Sequence, residues 1–240
     1  MGRAVGSRCG AVVLGVGIVL GVGACGGGDE AAGHAAAKPR VAERVLAQRE
    51  LEHLVLPGGT KIGSGTRGVG NGTVKAVPHH ATGPAACVPV LAATHGASEH
   101  APTGSVTRIF TFEQDSLVIS LAAYRGRDAS RVMAELRTAL RTCRKFPVAG
   151  TGGVTWSGIR LARQLGEGDQ EVAFLGEVYM GSAKDYPIVP NEVHVIRVGT
   201  TIVTFTAANV TATAASPVVP RDMVHRQVTA LERAAAAPVL

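Results

Sequence analysis

The chain is poor in aromatic side chains, at 4% of 240 residues, and Trp156 is its one tryptophan. A sugar-binding platform of stacked aromatic faces is therefore not expected. The formal charge is a moderate +6, with no Lys/Arg run interleaved with aromatics, so nucleic acid is not an expected partner. No GxSxG elbow for a nucleophilic serine occurs, and no HExxH or CxxC motif for a metal or a redox pair. Ser64 and Ser182 lie in glycine-containing stretches without that motif and without a placed His/Asp partner. The acids Glu113, Asp115, Asp169, Glu171 and Glu177 read as solvated strand and turn residues. Catalysis is thus not expected, and neither is a cofactor. Cysteine is scarce too, with four in all.

Apolar residues are plentiful, at 46%, so a packed interior is expected rather than disorder. Of the 31 glycines, 17 fall in the first seventy residues. Arg3 and Arg8 precede the apolar run Ala11 to Gly23. Its 13 residues are too short for a stable membrane span but suit a secretory signal. No twin arginine points to the folded-protein export route. The run ends in Val22-Gly23-Ala24-Cys25, small residues followed directly by a cysteine. This resembles the lipobox of bacterial lipoproteins. The resemblance implies a diacylglyceryl thioether on Cys25, cleavage before it, and a firm hold on the outer face of the cytoplasmic membrane. Residues 1–24 are then a leader, 25–40 the lipidated cysteine with a spacer, and 41–240 the exported domain. Loss of the leader leaves 22 basic against 18 acidic residues, or +4.

Cys9 leaves with the leader and Cys25 takes lipid, so the domain keeps Cys87 and Cys143. An exported domain with two cysteines is expected to pair them. A free catalytic thiol or a metal pair are the alternatives, and neither is tied to a histidine by a motif. His79, His80, His95 and His100, with Glu99, crowd a segment read as loops because of Pro84, Pro89 and Pro102. No two of these histidines have the i, i+4 spacing of HExxH, so surface histidines are expected rather than a metal site. Gly63-Ser64-Gly65-Thr66-Arg67-Gly68 spells GxGxxG, but turn residues follow it instead of a helix, so a loop or hairpin is expected.

A helix is expected from Pro39 to about Leu54. Val106–Phe112 and Leu117–Tyr124 read as a hairpin. Ala129, Val132, Met133, Leu136, Ala139, Leu140 and Cys143 form a helical stripe. Its opposite face carries Arg131, Arg137, Arg141, Arg144 and Lys145, suited to a helix C-terminus and read as a solvated face, with anionic headgroups as the alternative. Strands follow at Thr155–Leu161, Glu171–Met180, Glu192–Val198 and Thr201–Thr206, the last two flanking Gly199-Thr200. A final helix buries Met223, Val224, Val228, Leu231 and Ala235. The expected class is α+β: an antiparallel sheet of about five to six strands with packed helices and one disulfide.

Several stretches resemble, in order, the PknH-like extracellular sensor domain family of actinobacteria. They are Leu54-Val55-Leu56-Pro57-Gly58-Gly59, Cys87-Val88-Pro89-Val90-Leu91, Leu117 through Cys143 with its Tyr124, Gly168-Asp169 before a Val-Ala-Phe strand, Arg197-Val198-Gly199, and the terminal helix. The resemblance implies a sheet with helices, a cleft for a ligand, and no catalysis. The chain departs from the family in keeping one cysteine pair, and it has no kinase domain. The expected role is a lipid-anchored sensor or ligand-binding module, with Tyr124, Trp156 and Tyr179 as candidate lining. An interaction scaffold for an envelope protein and a lipid carrier are the alternatives. The partners are then the membrane through the anchor, and a small-molecule, lipid or envelope-protein ligand.

Overall fold

Apolar residues recur at both parities along the central strands, which requires a sheet covered on both faces. The computed structural model has this arrangement. It describes residues 44–62, 66–67, 69–74, 84–112, 115–148, 153–181, 188–209 and 216–237. The expected leader, Cys25, the spacer, His79 and His80 lie outside the described residues. Arg40–Leu240 is one compact unit that contains every described element and both hydrophobic cores. Among the described residues no helix is long and apolar enough to cross a membrane.

The elements in order are α1 (Gln48–Leu54), β1 (Lys61–Ile62), β2 (Thr66–Arg67), β3 (Val69–Val74), α2 (Val88–Thr94), β4 (Gly104–Phe112), β5 (Asp115–Ala123), α3 (Asp128–Thr142), β6 (Phe146–Pro147), β7 (Val154–Leu161), β8 (Gln170–Met180), β9 (Ile188–Val198), β10 (Thr201–Asn209) and α4 (Arg221–Ala236). Among the described residues the main sheet has eight strands in the order β3-β4-β5-β10-β9-β8-β7-β6, all pairs antiparallel. The β5–β10 pairing joins the early hairpin to the late meander.

The α+β class stands, with more strands than the five or six expected. β3 is glycine-rich and reads as turn, and β6 has two residues, too few for any period to register. Both lie at sheet edges. In the GxGxxG stretch, Thr66 and Arg67 pair with Ile62 and Lys61 as a short ladder, so no helix opens there.

Two helix expectations need correction. The first helix begins at Gln48 rather than near Pro39. Ala47 is extended, its N–H donates to the Glu50 carboxylate at 2.8 Å, and Glu50 also ion-pairs with Arg44. Arg44 binds the Ala234 carbonyl at 2.7 Å. Residues 44–47 are therefore held outside the helix, with Leu46 buried. The second correction is the segment read as loops around Pro89, which contains α2. Proline is tolerated in a helix's first turn, where its missing N–H has no intrahelical acceptor. Buried between α3 and the sheet, α2 is apolar on nearly every side.

One face of the sheet carries α2 and α3 over Tyr124, Trp156, Val172, Phe174, Val193 and Ile202. The other carries α1 and α4 over Phe110, Ile119, Ile196, Val203 and Phe205. The α3 stripe is buried as its spacing requires. Cys143 caps its C-terminus and is disulfide-bonded to Cys87, just before α2, with Cα atoms 5.3 Å apart. On α4, Gln227 is fully buried. Its amide accepts from the Leu56 N–H at 2.8 Å and donates to the Leu54 carbonyl at 3.0 Å, which satisfies it.

Gly168 illustrates how a turn is fixed. Its φ is +66°, and a Cβ there would lie 2.6 Å from Ile196 Cγ2 and 2.8 Å from the Arg197 carbonyl oxygen. Gly166 has φ +80° but open space around it. Gly168→Ala is expected to cost about 2 kcal/mol or more and Gly166→Ala about 1 kcal/mol. Chemical denaturation checks this, and equal costs would show that the close contact contributes nothing.

Candidate functional site

The last turns of α3 place Arg137, Leu140 and Arg141 on one side of an open groove of about 610 Å³, with Arg144 just beyond the helix end. The other side is Arg160 and Leu161 at the end of β7, with Gln164 after it, and Val172 lies between. This volume is within the range of small-molecule sites. A bulge in β7 creates the far wall. Ser157 pairs with Glu177 and Arg160 with Leu175, so one extra residue intervenes. Gly158, at φ +62°, takes the bend. The bulge moves Ile159 and Leu161 to the face of Trp156. Ile159 is buried, but Leu161 runs past the cover of α3 and is 69% exposed.

The charges in the groove are of one sign. Arg144 folds back on the helix end, reaching the carbonyls of Leu140 at 2.6 Å, Cys143 at 3.0 Å and Arg141 at 3.0 Å. Arg160 donates to the Gly158 carbonyl at 3.2 Å. Arg137 and Arg141 have no side-chain hydrogen bond or ion pair among the described residues. The acids of α3, Asp128 at its start and Glu135 at its midpoint, are engaged with Arg131 and His100. Of the basic face read from the sequence, Arg137, Arg141 and Arg144 join the groove. Arg160 and Leu161 were missed, because only the bulge and the chain's return past Arg144 bring them there. The Ile159 N–H donates to the Arg144 carbonyl at 3.2 Å.

A second constellation lies under α4. His194 of β9 contacts Glu171 of β8 through Nδ1 at 2.8 Å and Glu192 through Nε2 at 3.2 Å. Glu171 also accepts the N–H groups of Leu165 at 3.0 Å and Gly166 at 2.7 Å, with Glu167 at a longer 3.4 Å. Glu192 accepts the Val219 N–H at 2.7 Å. Burial favours neutral forms, raising the glutamates and lowering the histidine. The mutual hydrogen bonds, backbone donors and opposite charges outweigh burial, so both carboxylates titrate below their usual value and His194 above its own. Glu171 is thus buried, not solvated as its sequence context suggests. This acid–base group is largely enclosed, with the His194 and Glu171 side chains 2% and 3% exposed and that of Glu192 18%. It ties the 162–169 segment and the entry to α4 onto the sheet.

The three candidate lining residues do not converge. Tyr124 is buried beneath α2 and α3, with its hydroxyl 3.0 Å from Ser98 Oγ and its pKa raised by burial. Trp156 is buried in the same core, stacked on Phe146 with ring centroids 6.4 Å apart. Tyr179 is exposed, and its neighbour in the strand, Val178, is the one that faces the Trp156 core. The cavity beside Tyr124 measures about 10 Å³, room for about one water. His95 binds the Leu91 carbonyl at 3.0 Å, while His100 binds Glu135 at 2.9 Å. Among the described residues no group of three or more His, Cys, Asp or Glu is placed to hold a metal.

No protein-family model and no curated protein sequence matches the chain. Solved structures do. The crystal structure of the extracellular domain of PknH from Mycobacterium tuberculosis superposes with a TM-score of 0.53 at 8% identity, covering 80% of this chain and 98% of that one. An uncharacterised protein of Mycobacterium smegmatis, the Rv0999 ortholog, gives a TM-score of 0.34 at 12% identity, covering 76% and 95%. The chain shares its fold with the PknH extracellular domain.

Proposed function

We infer that this chain is a non-catalytic, sensor-like binding module of the cell envelope, held by lipid on Cys25 at the outer face of the cytoplasmic membrane. The observation that carries the reading is the fold shared with an extracellular domain over 80% of this chain and 98% of that one. The Cys87–Cys143 bond supports it, because disulfides persist in oxidising compartments. The arginine groove supports the binding role as a recess of ligand size. The cavity of about 10 Å³ beneath α2 and α3 is far too small for an acyl chain, which counts against a lipid carrier that encloses its cargo.

Fractionation tests the anchor. The parent chain is expected in the membrane fraction, with a diacylglyceryl mass on the peptide beginning at Cys25. Cys25→Ser is expected to be soluble or to keep its leader. A variant that is cleaved yet stays in the membrane would overturn the assignment.

A further inference from the structure

Three features of the groove define a ligand. Arg137 and Arg141 stack at i, i+4 spacing on α3, an arrangement of like charges that opposes helix formation, and Arg144 follows just beyond the helix end. Arg160 adds a fourth cation from β7. Arg144 spends donors on the helix-end carbonyls, whereas Arg137 and Arg141 leave their guanidinium forks unengaged among the described residues. Such forks match the oxygens of a phosphate, which brings several acceptors and close to two negative charges. Leu140 lies among these cations, and Leu161 is 69% exposed beside them. A purely ionic site has no use for an uncovered leucine at its edge.

We propose that the groove binds a phosphate-headed amphiphile, the headgroup on Arg137, Arg141 and Arg160 and the apolar part on Leu161 and Leu140. The inference rests on the binding-module reading but not on the anchor, so the fractionation above and the titration below fail independently. A membrane phospholipid and a soluble phosphate ester share this headgroup chemistry. What separates them is how much the leucines contribute.

The test is calorimetric titration of the unit from Arg40 onward, which contains both cores. The probe is dihexanoyl phosphatidic acid below its micellar concentration. Dihexanoyl phosphatidylcholine and inorganic phosphate are the comparators. Phosphatidic acid is expected to bind at least about tenfold tighter than either, and more weakly as salt rises. Arg137→Gln with Arg141→Gln is expected to weaken it at least about tenfold, the factor lost with a charge-assisted hydrogen bond. Arg125→Gln, an exposed cation outside the groove, is expected to change nothing. Leu161→Asn is expected to bring phosphatidic acid close to inorganic phosphate. Thermal unfolding of each variant verifies that the domain is intact. Equal binding of the two lipids, or an unaffected double variant, overturns the site. Inorganic phosphate binding as tightly as phosphatidic acid overturns the amphiphile and leaves a soluble phosphate ester.

Discussion

His194→Ala is expected to destabilise the domain by about 3–5 kcal/mol, the usual cost of leaving buried charges without their partner. The variant would face Glu171 with Glu192 across the vacated imidazole, both still holding backbone N–H groups. The effect depends on pH in a definite direction. His194 has a raised folded pKa, so its contribution is complete below its unfolded value of about 6.5 and is lost as pH rises through the folded one. The glutamates have lowered folded pKa values. Their contributions are present above about 4.5 and are lost as pH falls through the folded values. Parent and variant should therefore differ most between about pH 4.5 and 6.5 and converge on either side. Urea unfolding across that range measures it. A difference that stays flat from acid to alkaline pH would mean that the cluster is not held by ionic pairing.

Loss of the disulfide is the other large effect. The bond spans 56 residues, and confinement of the unfolded chain by a loop of that length corresponds to about 4 kcal/mol. It joins the start of α2 to the end of α3, and both half-cystines are buried. Cys87→Ser with Cys143→Ser is expected to lower unfolding free energy by about 4 kcal/mol or more, because serine hydroxyls would also be buried. α3 should loosen at its last turns, where the groove arginines sit. Denaturant midpoints and amide exchange of Leu140 and Arg141 measure the two parts. Unchanged exchange there, with a lowered midpoint, would place the bond's effect wholly in the unfolded chain.

The sequence patterns that foretold structure were those with one decisive period. The α3 stripe is one, because a single face of that helix meets the core. The Gly199-Thr200 hairpin is another, because its turn is short and Gly199 adopts a positive φ. Strand faces were harder to read. In β9, Glu192, His194, Ile196 and Val198 share one face and Val193 and Val195 the other, and all but Glu192 are buried. With helices on both sides, alternation no longer separates core from solvent. The same cover conceals the ion network, since nothing local marks Glu171 as the partner of a histidine 23 residues away. The groove was half legible. Its helical arginines follow from spacing, while Arg160 and Leu161 depend on a bulge at Gly158 that the strand pattern does not announce.

The sheet's two margins bear on self-association. An open margin offers unpaired N–H and C=O groups to any passing strand, and natural proteins blunt such margins with short strands, prolines and bulges. One margin here is β6, two residues long and ending in Pro147, backed by the bulged β7. The other, β3, shifts register against β4 between Gly70 and Thr73. Among the described residues neither margin presents a long, regular ladder, so the domain is poorly suited to stacking edge to edge with its own copies. Wherever copies are crowded together, that keeps neighbours from growing into a continuous sheet.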